Sequence, residues 1–205
     1  MRDLDGIHYM IPTPFDEKED LDLEPIKRMI DLSIDDGCKG VVCLGVTGEA
    51  NRLNDKERYQ VIKETVRSAG DRIKVTVGTS GTGTRQTVER CKEARDLGAS
   101  AVMVAAVPMP KPNLKKQYEY YEAVAKSVEI QVVVQDFPAV TGVHMPPDFI
   151  ARLVKAFGNI NYLKLEAPPC PQKVSEIRKL TGDTLGIFGG LGGVYLYEEI
   201  CRGGA

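Results

Sequence analysis

A lysine followed two residues later by a glutamate, at the end of a short apolar run, is the most chemically loaded arrangement in this sequence. The run is Asn159-Ile160-Asn161-Tyr162-Leu163-Lys164-Leu165-Glu166. Gly158 precedes it, Pro168-Pro169 ends it, and Ile160, Tyr162 and Leu163 are strand formers, so it is expected to be a short buried strand. Burial of a lysine disfavours its ammonium form. A neutral lysine amine in a cleft is the nucleophile that forms Schiff bases with carbonyl substrates. The alternative is a lysine that packs its stem and carries its head to water. Glu166 shares the Lys164 side of the strand by alternation. It is either an acid–base group or an ion-pair partner that holds the lysine.

Three other stretches carry donors or carboxylates. Gly45-Val46-Thr47-Gly48-Glu49 could grip an anion, because glycines let backbone N–H groups approach and Thr47 adds a hydroxyl. It could equally be a tight turn whose glycines supply positive φ. Gln135-Asp136 follows another apolar run and offers a further acid–base candidate in Asp136. Gly189-Gly190-Leu191-Gly192-Gly193 is a second glycine-rich turn, and turns at this place bind phosphate in many barrels.

The elements that must position these residues alternate along the chain. Strands are expected over 6–11, 40–45, 73–78, 101–105, 130–134, 159–166 and 185–188. Between them lie helical patterns. Leu23, Ile26, Met29, Ile30 and Ile34 recur at helical spacing, with Gly37 at the end. Asn54 with Glu57 has the capping-box spacing, Thr84 is a candidate cap, and further helices start near Asn113 and Pro146. Val194 to Ile200 reads as the helix after the seventh strand. Repeated strand–helix units with continuous apolar strands mean a parallel sheet covered on both faces. Seven such units without a dinucleotide-binding fingerprint favour a (β/α)₈, or TIM, barrel over an open sheet. Catalytic groups of such a barrel sit at the C-terminal strand ends, where Thr13, Thr47, Gln135 and Lys164 all fall.

Thr13-Pro14-Phe15, Gly45-Val46-Thr47-Gly48-Glu49, Lys164, the Pro138 and Thr141-Gly142 punctuation and the glycine-rich turn after the seventh strand occur in this order. In that combination the chain resembles, over essentially its whole length, the dihydrodipicolinate synthase / N-acetylneuraminate lyase family of Schiff-base barrels. The resemblance implies a lysine-dependent lyase or aldolase acting on pyruvate or another 2-oxo acid, with no cofactor. It implies Lys164 as the imine-forming residue. Thr47, Gly48 and the Val46 backbone would hold the substrate carboxylate, and Gly190 would line the pocket beneath the imine. It also implies a homo-oligomer, a tetramer in much of the family. The sequence departs from the family where the proton relay should be. Val46 stands for a threonine, Gln135 for a tyrosine, and Pro108-Met109 for the loop that lends a tyrosine to a neighbouring subunit. Val140 stands for an arginine that often binds a second carboxylate. Valine, methionine and a glutamine amide cannot relay protons. Asp136 and Glu166 are the remaining candidates, and an efficient dihydrodipicolinate synthase is not expected. A binding-only relative that keeps the pocket without turnover, or a phosphate-binding barrel using the turn after the seventh strand, are the alternatives.

The chain has 205 residues, a net charge of −2 and 42% hydrophobic residues, enough for one sizeable core. The charge balance gives no electrostatic ground for nucleic acid or an anionic membrane as partner. No apolar run approaches the roughly 20 residues of a membrane span, and Met1-Arg2-Asp3-Leu4-Asp5 has no signal-peptide core, so a cytoplasmic protein is expected. Five scattered cysteines without a C-x-x-C pair argue for free thiols, and two histidines, His8 and His144, argue against a metal site. The domain is expected to be a single TIM barrel over 1–205, incomplete because the chain stops where an eighth strand and the family's further helical segment should follow. Open edges at the first and seventh strands invite association. Expressed alone, the chain is therefore expected to self-associate or to melt without cooperativity in light scattering and calorimetry, and extension by about 90 residues to correct this. A monodisperse, cooperatively melting 205-residue protein is the contrary result.

Overall fold

The alternating pattern takes shape in a computed structural model that describes residues 3–205. Met1 and Arg2, the head of the stretch without a signal-peptide core, lie outside the described residues. In chain order the elements are β1 (His8–Met10), α1 (Glu24–Asp35), β2 (Gly40–Cys43), α2 (Asp55–Ala69), β3 (Lys74–Gly78), α3 (Thr84–Asp96), β4 (Ala101–Ala105) and α4 (Leu114–Ala125). There follow β5 (Gln131–Asp136), a single turn α5 (Pro138–Thr141), α6 (Pro147–Ala156), β6 (Tyr162–Leu165), α7 (Cys170–Thr181), β7 (Gly186–Gly189) and α8 (Leu196–Ile200). The sheet order is β1-β2-β3-β4-β5-β6-β7. The β1–β2, β2–β3, β3–β4, β5–β6 and β6–β7 pairs are parallel. Sequential parallel strands joined by helical crossovers are the topology of the (β/α)₈ barrel, here with seven strand units. The apolar strands follow from it: every residue of β2 is buried, as are Val132 through Asp136 of β5.

The chain divides into two compact units, one of residues 4–79 with 93–103, the other of 80–92 with 104–205. In the first, α2 opens on the expected capping box. The Asn54 side chain accepts from the N–H groups of Lys56 and Glu57 at 2.9 and 3.1 Å, and the Asn54 N–H donates to Glu57 Oε2 at 2.7 Å. One turn on, Arg58 is only 2% exposed. Its guanidinium donates to the carbonyls of Ala50 (3.1 Å) and Gly78 (2.8 Å), tying the turn after β2 to the end of β3.

In the second unit, Asn113 caps α4 by accepting from the Lys116 N–H. Gln117, fully buried, exchanges two hydrogen bonds with the Val107 backbone and so pins the chain leaving β4. Gly142, left-handed at φ 67°, ends α5. The α7 helix buries Val174 and Ile177, and Leu185 and Ile187 at the following strand are buried as well.

Several boundaries differ from the sequence expectations. The first strand narrows to three residues, because only His8–Met10 pairs with β2. The fifth strand runs two residues further than expected, so Gln135 and Asp136 lie within the ladder. Thr84 is the first residue of α3, not its cap. Thr87 and Gln86 instead turn back, accepting from the Gly81 and Thr82 N–H groups at 3.1 and 3.0 Å. The α7 helix begins directly after Pro169, where the prolines mask its start in the sequence.

Removing the capping box isolates its worth. Asn54→Ala should cost about 1 kcal/mol, read as a lowered denaturant midpoint with an unchanged slope.

Candidate active site

The C-terminal half of the second unit is arranged around Lys164, the third residue of β6. Strand register sets Gln135 beside it on β5 and Phe188 beside it on β7. Tyr162, two residues back and on the same face, stacks on Phe188 with ring centroids 5.2 Å apart and planes within 4°. The Lys164 side chain is only 12% exposed. Its Nζ lies 3.2 Å from Oε1 of Glu166, whose side chain is 6% exposed. The other Glu166 oxygen, Oε2, accepts from Nε2 of buried Gln135 at 2.7 Å. Lys164, Glu166 and Gln135 thus form one chain of contacts across two strands.

Gly190, just past β7, completes the group by what it lacks. A Cβ on it would lie 2.3 Å from Glu166 Cγ, 2.7 Å from Glu166 Cδ and 3.0 Å from Lys164 Cε. Its N–H donates to the Leu165 carbonyl at 2.9 Å, which leaves the Gly190 carbonyl as the group it can offer a ligand.

Asp136 does not join this group. It pairs in register with Leu165, on the opposite face of the strand from Gln135 and Lys164. There its Oδ2 is 2.5 Å from Nζ of Lys173 on α7. Burial pushes the Asp136 carboxyl above its ordinary range, against the pull of the Lys173 charge. Nothing in the sequence singles out Lys173 as this partner, since it lies 37 residues from Asp136. The glycine-rich turn after β7 is a poor phosphate cradle. Glu166 crowds Gly190, and the carboxylate of buried Glu199 crowds Gly189, where a Cβ would meet Oε2 at 1.8 Å. Two carboxylates at one turn repel a dianion.

The first unit holds the other predicted residues. The turn after β2 takes positive φ at Leu44 (56°) and Glu49 (51°), not at its glycines. Gly45 and Gly48 are there for close approach. A Cβ on Gly45 would meet Met10 Cε at 2.6 Å, and one on Gly48 would meet the Leu44 N and Ile11 O backbone atoms at 3.0 and 3.2 Å. Thr13, 7% exposed, fastens the turn by donating from Oγ1 to the Gly48 carbonyl at 2.6 Å. Val46 and Thr47 stand exposed at its tip. The cysteines are free thiols; burial pushes those of Cys43 and Cys170 up to about 12 and about 11, far from reactive.

Fold and site together define a barrel of the (β/α)₈ class with a largely covered lysine on its sixth strand. Comparison with known proteins narrows this. The model of the dihydrodipicolinate synthetase family matches residues 3–203. The 4-hydroxy-tetrahydrodipicolinate synthase of Trichlorobacter lovleyi is 32% identical over 88% of this chain and 61% of its own. A dihydrodipicolinate synthase structure from Bacillus anthracis matches all of this chain and 69% of its own, with TM-score 0.93 and 27% identity. The chloride-inhibited dihydrodipicolinate synthase from Acinetobacter baumannii, complexed with pyruvate, matches 98% of this chain and 68% of its own, with TM-score 0.91 and 29% identity. The chain belongs to the dihydrodipicolinate synthetase family. It spans about 61% of the length of the first of these relatives.

The room left at Gly190 can be tested by filling it. Gly190→Ala should destabilise the protein by about 1–3 kcal/mol, the usual cost of overpacking, seen as a lowered melting temperature. Gly192→Ala is not a fair control because of its positive φ (60°), whereas Gly158→Ala, with open space at its Cβ, is. Equal stability of the two variants would contradict the close packing described.

Proposed function

We propose that the protein is a lysine-dependent lyase or aldolase that forms a Schiff base between Lys164 and pyruvate or another 2-oxo acid. The observation that carries this reading is a lysine kept 12% exposed at a strand end, with a carboxylate 3.2 Å from its Nζ. Such a carboxylate can take the proton that the ammonium must lose before it is a nucleophile. The amine then adds to the oxo carbon, water leaves, and the iminium draws electrons from the adjacent carbon. That eases deprotonation or carbon–carbon bond cleavage there. The pyruvate complex of the Acinetobacter baumannii relative supports the substrate class.

Thr47, Gly48 and the Val46 backbone are proposed to hold the substrate carboxylate. Support comes from the family resemblance and from a turn whose tip is exposed and whose base is fastened by Thr13. Gly190 would contribute its carbonyl near the imine. Asp136 is left out of the catalytic set because it faces the other side of β5 and pairs with Lys173. A homo-oligomeric, cytoplasmic protein without a cofactor is part of the same reading. Among the described residues no helix is long and apolar enough to cross a membrane.

A binding-only role is the second reading, favoured by Val46 and Gln135 standing where the family has hydroxyls. Borohydride reduction in the presence of pyruvate should add the mass of the reduced substrate to the peptide containing Lys164, and Lys164→Ala should abolish the adduct. A folded protein that gives no adduct across a panel of 2-oxo acids would overturn the lyase reading and leave the binding-only one.

A further inference from the structure

We propose that Glu166 is the group that moves protons at the Lys164 imine, with Gln135 as the residue that aims it. This rests on the Schiff-base reading above and adds to it a residue that replaces the family's missing hydroxyl relay. Imine chemistry needs a proton carrier at several moments, and a carrier must lie within hydrogen-bond reach of the reacting nitrogen or carbon. Glu166 meets that requirement, with Oε1 3.2 Å from Lys164 Nζ. The other buried carboxylates of this unit are engaged elsewhere: Asp136 with Lys173 behind the strand, and Glu199 packed against Gly189.

The way Glu166 is held fits transfer better than mere anchoring. Its Oε2 accepts from the Gln135 amide at 2.7 Å, which orients the carboxylate and leaves Oε1 turned to the lysine. An amide cannot itself take the proton, so it does not compete. An arginine in the place of Gln135 would hold the carboxylate in its charged form. Gly190 supplies the space in which the carboxylate sits, since a Cβ there would overlap it. Thus β5, β6 and the turn after β7 each give something to this one carboxylate.

The steps balance as follows. Glu166 takes a proton from the Lys164 ammonium, and the freed amine adds to the oxo carbon of the substrate. The added nitrogen passes a proton to the former oxo oxygen, giving a neutral carbinolamine. Protonated Glu166 gives its proton to that hydroxyl, the carbon–oxygen bond breaks, and water leaves the iminium. Glu166, again a carboxylate, then removes a proton from the carbon next to the iminium. The carbon–hydrogen electron pair moves into a carbon–carbon double bond, and the nitrogen becomes the neutral enamine.

The test compares two readouts on the same samples of protein with pyruvate in heavy water. One is the fraction of Lys164 trapped by borohydride at saturation, the other the rate at which pyruvate methyl protons exchange, read by NMR. The proposal expects Glu166→Gln to keep a trappable adduct on long incubation while exchange per adduct falls by about 10²-fold or more. Glu166→Asp, which keeps a carboxylate on a shorter stem, should fall less. Gln135→Leu, which keeps Glu166 and loses its guide, should also fall less but remain below the unaltered protein. A residue that only anchored the lysine would lower adduct and exchange together, leaving their ratio unchanged, and that outcome overturns the proposal. Should Glu166→Gln not fold, unchanged ratios in both Glu166→Asp and Gln135→Leu overturn it equally. Absence of any adduct in the unaltered protein sinks the Schiff-base reading itself, and this proposal falls with it.

Discussion

Keeping Lys164 out of water is the constraint on which the surrounding residues depend. Glu166, two positions along on the same face, supplies the opposite charge at 3.2 Å. A buried ion pair is a weak source of stability, because desolvation of both charges offsets most of their attraction. Removing one partner is nonetheless costly, about 3–5 kcal/mol, since the other charge is then left alone. The identities around the pair follow from this. Gln135 satisfies the second carboxylate oxygen, Gly190 stays without a side chain, and Tyr162 stacks on Phe188, the residue in register with Lys164. A pair that contributes little to folding yet needs this much support is better accounted for by chemistry at the lysine than by packing.

The sheet keeps two kinds of charge apart by the alternation of its strands. Gln135 and Asp136 are neighbours in sequence, yet one meets Glu166 and the other meets Lys173 of α7. The Asp136–Lys173 pair lies on the face of β5 and β6 that carries Leu165, away from Lys164. Each buried carboxylate of the two therefore has its own lysine, and the one next to the imine candidate is additionally guided by an amide. In the first unit the corresponding economy is steric. Gly45 and Gly48 let the turn after β2 press against Met10 and Ile11, while Leu44 and Glu49 accept the left-handed backbone.

Much of this was legible in the sequence because it depends on local rules. Apolar runs marked all seven strands, Asn54 and Glu57 marked the start of α2, and the spacing of Lys164 and Glu166 put them on one face. What was not legible depends on ladder ends and on distant partners. Ending the fifth strand at Val134 made Gln135 and Asp136 loop residues with no assigned side; pairing through Asp136 gave them opposite ones. The glycines of the turn after β2 suggested positive φ, and the need they meet is set by Met10 and Ile11, which only the folded sheet brings close. The Lys173 partner and the crowding of Gly189 by Glu199 arise in the same way, from helices returning to strand ends.

The central claim is that Lys164 is a nucleophile and not a strut. Carbon-13 NMR with pyruvate labelled at its oxo carbon tests it most directly. The account predicts a protein-bound signal in the imine region, present with the unaltered chain and absent from Lys164→Ala. Only the free ketone and its hydrate, at saturating pyruvate and with a folded protein, would contradict it.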